Sequence, residues 1–258
     1  MDYLELYDKR IKSDGANVGE SLRQNTLNFK EKKFKDATTY RRANVYRNKG
    51  TLSEIKDEVD IRVIEIDRQG SLRNILFKPH VEYKVGNIIE FDDSQWLAYD
   101  TYGSTVDDIK LRVSRINDTL KWRDKNGKLQ EVPCITSTSY LGSGSKSNDT
   151  GLTYNIFDVR LPIGKILMFA ELNELTTEIK TGQRFICGKR VYKVEHVDDI
   201  SIVDKDYYGV LQISLNLDLE YNKFDDFENG IAYNDIWQNQ ENIPEEERED
   251  EKVEEWGW

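Results

Sequence analysis

A strand–turn–strand pattern that occurs twice constrains this chain more than any other feature. Lys84-Val85-Gly86-Asn87-Ile88-Ile89-Glu90-Phe91 runs to a polar tip and returns as Gln95-Trp96-Leu97-Ala98-Tyr99. Further along, Thr181-Gly182-Gln183-Arg184-Phe185-Ile186-Cys187 meets a Gly188-Lys189 turn and returns as Arg190-Val191-Tyr192-Lys193-Val194. In each, a glycine opens a short half-buried strand, and an acidic pair (Asp107-Asp108, Asp198-Asp199) follows the return strand. Two small β-units with no catalytic constellation between them direct attention to surfaces, arms and tails.

Alternation extends the β reading on both sides. Val59–Asp67 alternates apolar and polar residues, turns at Arg68-Gln69-Gly70 and returns over Leu72–Lys78 until Pro79 stops it. Ile109–Ile116 alternates strictly, so one face is wet and one dry. Leu120–Arg123 and Leu129–Ile135 flank Lys125-Asn126-Gly127-Lys128, where Asn-Gly predicts a type I′ hairpin. Leu152–Arg160 and Ile166–Ala170 read as strands around Pro162-Ile163-Gly164, 172–178 as a short turn, and Gly209–Leu219 as a long alternating strand.

These elements give a mainly β fold with two small antiparallel barrel or sandwich units and extended N- and C-terminal arms. The expected boundaries are a basic arm over 1–50, a first β-unit over 51–141, a polar loop or linker at 142–151, a second β-unit over 152–234, and an acidic tail at 235–258. Leu22, Leu27, Phe29 and Phe34 are too sparse to predict a buried helix face in the arm. Residues 30–49 hold eight bases (Lys30, Lys32, Lys33, Lys35, Arg41, Arg42, Arg47, Lys49) against two acids, whereas 238–258 hold nine acids against two bases.

Chemistry is sparse. The two histidines, His80 and His196, stand in no ligand spacing, and no metalloprotease, nucleophile-elbow or Walker motif is present. Cys134 and Cys187 read as reduced core thiols of a cytosolic protein, with a disulfide between them as the alternative. The acid pairs, including Asp92-Asp93 and Asp225-Asp226, read as solvated turns rather than a calcium loop or a glycosidase pair. The expectation is therefore no catalytic residue, no metal and no cofactor. No apolar run approaches the roughly 20 residues of a membrane helix, and Met1-Asp2-Tyr3-Leu4-Glu5 lacks the features of a signal peptide.

Trp96, Trp122 and Tyr192 are candidate core or interface aromatics, and Trp237, Trp256 and Trp258 are candidate anchors for docking on a neighbouring subunit. The eight bases of 30–49, interleaved with Phe29, Phe34, Tyr40 and Tyr46, are candidates for contact with an acidic partner or with nucleic acid.

The unit from Val85-Gly86-Asn87-Ile88-Ile89 through Trp96-Leu97, with strand Ile109–Ile116, resembles head-closure and head–tail connector proteins of tailed bacteriophages. So do Gly182-Gln183-Arg184-Phe185-Ile186 through Tyr192-Lys193-Val194, the continuation Val197-Asp198-Asp199 and Leu211–Leu219, and the closing Asp225-Asp226-Phe227-Glu228-Asn229-Gly230-Ile231-Ala232. The likeness covers 58–234. It implies a non-enzymatic virion protein of the neck, made in the host bacterial cytoplasm and assembled as a ring around the DNA channel. Its partners would be further copies of itself and portal, adaptor or tail proteins, with DNA in the channel a candidate contact and no membrane. Simple stoppers of that family have one barrel, so two units imply a fused or elaborated connector, or a collar component. The alternative function is a nucleic-acid-binding β-barrel module acting through its basic N-terminal arm.

Overall fold

A computed structural model describes residues 18–65, 71–79, 81, 83–101, 109–137, 164–220 and 222–234, together with Tyr3 and Tyr7. It is mainly β, with two six-stranded antiparallel barrel-like sheets and little helix. The expected strand at 152–160, the 142–151 loop and the 235–258 tail lie outside the described residues.

The helix α1 (Val18–Lys33) and a 3-10 turn (Phe34–Asp36) precede β1 (Tyr40–Arg47), β2 (Ile55–Glu65) and β3 (Leu72–Phe77). Then come β4 (Ile88–Phe91), β5 (Ser94–Thr101) and β6 (Lys110–Arg115). These six strands close into a barrel in the order β1-β2-β3-β6-β5-β4. Closure leaves no edge strand to recruit a foreign chain. Period-two alternation fills the interior with Val45, Ile61, Ile75, Phe77, Ile89, Leu111 and Val113. Residues 40–47, read from sequence as part of an arm, are thus a barrel strand. Its two apolar inward positions, Ala43 and Val45, are masked in the sequence by Arg41, Arg42 and Arg47.

The second sheet comprises β7 (Asp118–Arg123), β8 (Leu129–Ser137), β9 (Lys165–Glu171), β10 (Arg184–Cys187), β11 (Arg190–Asp198) and β12 (Val210–Leu217). Its order is β10-β11-β12-β9-β8-β7, and the two ends of that order, β10 and β7, come together. A 3-10 turn at Thr176–Glu178 lies between β9 and β10.

The chain forms two compact units, neither of them a contiguous stretch. The first gathers Met1–Asn117, Phe169–Thr177 and Asp198–Gln212; the second gathers Asp118–Met168, Glu178–Val197 and Ile213–Trp258. The β7–β8 hairpin therefore belongs to the second unit, and segments around 170 and 205 belong to the first. Long-range contacts explain the latter: the Glu171 side chain accepts Asn48 and Lys49 N–H at 2.6 and 2.8 Å, and Lys84 meets Asp204 at 2.8 Å. Sequence proximity cannot report such pairs.

The Asn126-Gly127 turn differs from the expected type I′. Only Gly127 has positive φ (75°), and Gly127 N–H donates to the Asp124 carbonyl at 2.8 Å. The Asp124 carboxylate accepts the N–H groups of Asn126 and Lys128 at 2.8 and 3.0 Å, which favours a longer loop ending in a glycine bulge. Positive φ at both central positions occurs instead at Asp92 (47°) and Asp93 (54°), which join β4 to β5.

Candidate interaction surfaces

The two hairpins recognised in the sequence start from the same turn. In the first unit, Gly86 N–H donates to Ala98 at 2.7 Å, Ala98 N–H to Asn87 at 3.0 Å, and Asn87 N–H to Lys84 at 3.4 Å. The buried Asn87 side chain closes the turn by accepting Lys84 N–H at 3.0 Å. In the second unit, Gly182 N–H donates to Val194 at 2.8 Å, Val194 N–H to Gln183 at 2.8 Å, and Gln183 N–H to Lys180 at 3.1 Å. The buried Gln183 side chain accepts Lys180 N–H at 3.2 Å. Gly86 and Gly182 adopt φ of +97° and +91°, a region that L side chains disfavour, so both positions require glycine for the turn itself.

Each hairpin is then tied by a cation to a later loop of its own unit. Lys84 bridges Asp204 at 2.8 Å and Asp206, and stands 5.1 Å from the Tyr208 ring centre. Arg184 is gripped more completely. Its Nε lies 2.7 Å from Asp218, its two terminal nitrogens 2.9 Å from the two oxygens of Asp225, and it also donates to the Tyr233 and Glu220 carbonyls. Asn234 accepts Arg184 N–H at 2.6 Å and donates back to its carbonyl at 2.9 Å. Burial is the largest influence on the Asp218 carboxyl and raises it, but the hydrogen bonds from Arg184 and the Glu220 N–H together with the charges of Arg184 and Lys193 hold the group below its ordinary value. The 222–234 segment is thereby clasped to β10.

The basic segment is largely neutralised within the first unit. Lys33 meets Asp36 at 2.9 Å, Lys35 meets Asp60 at 3.2 Å, Arg41 meets Asp92 at 3.2 Å, Arg42 meets Glu58 at 3.0 Å, and Arg47 meets Asp57 at 2.9 Å. Burial works against Asp60, yet the hydrogen bonds from Tyr40 (2.7 Å) and Lys35 hold its carboxyl below the ordinary value. Lys49 lies 4.1 Å from the Tyr46 ring centre, and burial pulls its ammonium pKa down. Lys30 is half-buried and Lys32 exposed, both on α1. A signal for this pairing was present in the sequence: Asp57-Glu58-Val59-Asp60 follows the basic run closely enough to be its antiparallel partner.

Arg62 fixes the end of α1. Its guanidinium donates to the carbonyls of Phe34 at 2.9 Å and Lys33 at 2.6 Å, and lies 4.6 Å from the Phe34 ring centre. Carbonyls at a helix C-terminus lack intrahelical donors, and a cation there satisfies both their hydrogen bonds and the helix dipole. Leu27 and Phe34 are buried, whereas Leu22 and Phe29 remain 63% and 65% exposed.

Glu171 is the least expected group. Its carboxylate accepts Asn48 N–H at 2.6 Å and Lys49 N–H at 2.8 Å, fastening the β1–β2 turn, with Asn173 alongside at 3.5 Å. Burial raises its pKa to about 7 despite those donors. It lies 122 residues from Lys49, beyond the reach of local sequence reasoning.

Trp96 and Trp122 lie in the cores, 5% and 2% exposed. Trp96 stacks on Phe91 at 5.2 Å, and Trp122 meets Phe185 edge-on at 6.0 Å. Burial removes both from the pool of surface anchors, since a side chain spent on the core cannot also reach a partner. Tyr192 is half-buried, opposite Phe185 on β11. Trp237, Trp256, Trp258 and His80 lie outside the described residues, and His196 is exposed. Cys134 is buried and Cys187 half-buried, both as free thiols, with burial pushing Cys187 up to about 12. Among the described residues no group of three or more His, Cys, Asp or Glu side chains is placed to hold a metal, and no helix is long and apolar enough to cross a membrane.

Residues 118–216 match a family model, the YomX C-terminal domain, a phage-associated family. No curated protein and no solved structure matches the chain.

Proposed function

We propose that this chain is a non-enzymatic structural protein of the phage head–tail interface, assembling as a ring with the portal or adaptor and around the DNA channel. The observation that carries the reading is the match of 118–216 to a phage-associated family, on a mainly β fold. Its mechanism is surface complementarity between neighbouring copies, the arrangement that a heterologous ring interface repeats. Charge pairing at five of the eight basic positions supports a structural use of the basic segment over the nucleic-acid reading. Nucleic-acid affinity through counterion release needs cations left available for phosphate.

Mass spectrometry of purified particles of the encoding phage, with gold labelling of a tagged chain, tests the reading. The chain should be a virion component located at the neck, and its gene should lie among portal, capsid and tail genes. Absence from particles, or metabolic and regulatory genes on both sides, would overturn it.

A further inference from the structure

We infer that the 199–208 loop of the first unit is a docking site for the basic tip of the β10–β11 hairpin, Lys189 and Arg190, of a second copy of this chain. This rests on the ring reading above, because a heterologous ring interface joins two different patches of one surface.

The loop already holds one cation of its own chain. The Lys84 ammonium meets the carboxylates of Asp204 (2.8 Å) and Asp206 and lies 5.1 Å from the Tyr208 ring centre. One residue earlier, acid and ring are paired again: Tyr207 O–H donates to the Asp199 carboxylate at 2.7 Å. Among the described residues no base meets Asp199 or Tyr207, and Tyr207 is 57% exposed. Tyr207 has φ of +63°, a conformation that a bulky residue keeps only where its surroundings hold it. The Asp204 carboxylate provides that hold, accepting Asp206 N–H and Tyr208 N–H at 2.9 Å each. Asp198 fixes the other end by accepting Ile200 N–H and Ser201 N–H at 3.0 and 2.9 Å, and the Ile200 side chain stands 81% exposed. Residues 198–208 hold four acids against one base and Lys84 adds a second, so the loop stays net negative. Carboxylate, aromatic ring and aliphatic side chain, fixed before binding, fit a lysine or arginine. Its charge meets the acid, its cation the ring and its stem Ile200.

The second unit supplies that ligand. Arg190 pairs with Cys187 on the last rung of the β10–β11 hairpin, so Gly188 and Lys189 form a two-residue turn at its tip. Gly188, Lys189 and Arg190 are all exposed, and among the described residues neither cation meets an acid. The basic segment of the first unit differs, since five of its eight bases are already paired. The hairpin tip therefore presents two adjacent uncompensated cations from a rigid support, the complement of the loop. Every copy carries both halves, so each offers its loop to one neighbour and its hairpin to the other, the arrangement that a ring repeats.

The test co-expresses two full-length variants, Lys189→Arg and Asp199→Asn, and treats the assembly with a carbodiimide. The reagent joins a carboxylate to an adjacent amine as an amide and takes up the water released. Neither variant can join positions 199 and 189 within itself, so an Asp199–Lys189 link must run between copies, and it is expected. Its yield should fall roughly tenfold when Arg190→Glu is added to the Asp199→Asn chain. Ile200→Ser in the Lys189→Arg chain should lower it by a comparable factor. Both positions are exposed and both changes keep the reacting groups. Added salt should also lower the yield. A link that forms within the chain bearing both native residues, but not between the two variants, would put the hairpin on its own loop and overturn the proposal. Links from Asp199 to other lysines, or none, would do the same. If rings persist in native mass spectrometry without this link, the docking fails and the ring reading stands. Absence of the chain from virions would instead remove the ring reading itself.

Discussion

The hairpins that open at Gly86 and Gly182 share a turn and differ in what surrounds it. Both close with the same backbone bonds and a buried side-chain amide. Around Gly86, however, the chain is pressed against another backbone: a Cβ there would lie 2.2 Å from the Gly209 carbonyl oxygen. Around Gly182 no atom lies within 4 Å of such a Cβ. Their ties differ in the opposite sense. The first is held by an exposed lysine, the second by an arginine whose side chain is 14% exposed and whose partner Asp225 is fully buried. Identical local grammar can thus serve a backbone-packed anchor in one unit and a charge-locked one in the other.

The largest expected effect is at Gly86. Gly86→Ala combines unfavourable φ with a backbone clash, and should cost on the order of 5 kcal/mol in urea denaturation. Gly182→Ala should cost only about 1–2 kcal/mol, the left-handed penalty alone. Equal losses would refute the packing difference.

Reversing the comparison, Arg184→Ala strands the buried Asp225 carboxylate and should cost roughly 3–5 kcal/mol. Lys84→Ala, which removes an exposed pair, should cost about 1 kcal/mol or less. Thermal melts of both variants at one ionic strength check this, and a similar loss in the two would show that burial is not what distinguishes the ties.

Glu171 gives a pH-dependent prediction. Its folded pKa is raised from 4.5 to about 7. The folded state therefore holds the extra proton between those values, and this contribution is fully present below pH 4.5 and lost as pH rises through about 7. The loss should approach roughly 3 kcal/mol for that group. Glu171→Gln should flatten that part of the stability profile measured by urea melts at pH 5 and pH 8. An unchanged slope would mean that other groups set it.

The smallest contrast concerns the closing amides. Asn87→Ala should cost about 1–2 kcal/mol by leaving Lys84 N–H without its acceptor. Gln183→Ala should cost less on the hydrogen-bond side, because Gln183 Nε2 already lacks a partner. Denaturation midpoints of the two variants decide it.

Much of the β-structure was legible because alternation reports which face is dry. Strands β2 through β12 fall where Val59–Asp67, Ile109–Ile116, Ile166–Ala170 and Gly209–Leu219 and their neighbours place them. Helix α1 and strand β1 were hidden for the same reason. Each buries few apolar side chains: Leu27 on the helix, and Ala43, Val45 and Tyr46 among the arginines of β1. Charge pairing with β2 replaces the missing apolar pattern, and pairing partners do not show in a one-dimensional periodicity. The Asn126-Gly127 turn shows a similar limit, since the Asp124 carboxylate selected a different turn from the one its dipeptide favours.

By itself the sequence determined the mainly β character of the chain, the two glycine-opened hairpins and the opposite charges of its two ends. Local sterics and side-chain polarity suffice for these, because each is decided within a few residues. Tertiary structure alone decided the barrel order β1-β2-β3-β6-β5-β4, the discontinuous membership of the two units and the Glu171 clasp. It also decided which aromatics are spent inside and which stand out on α1. Those outcomes depend on hydrogen bonds and burial between residues far apart in the chain, whose favourable energy appears only once the backbone has closed on itself.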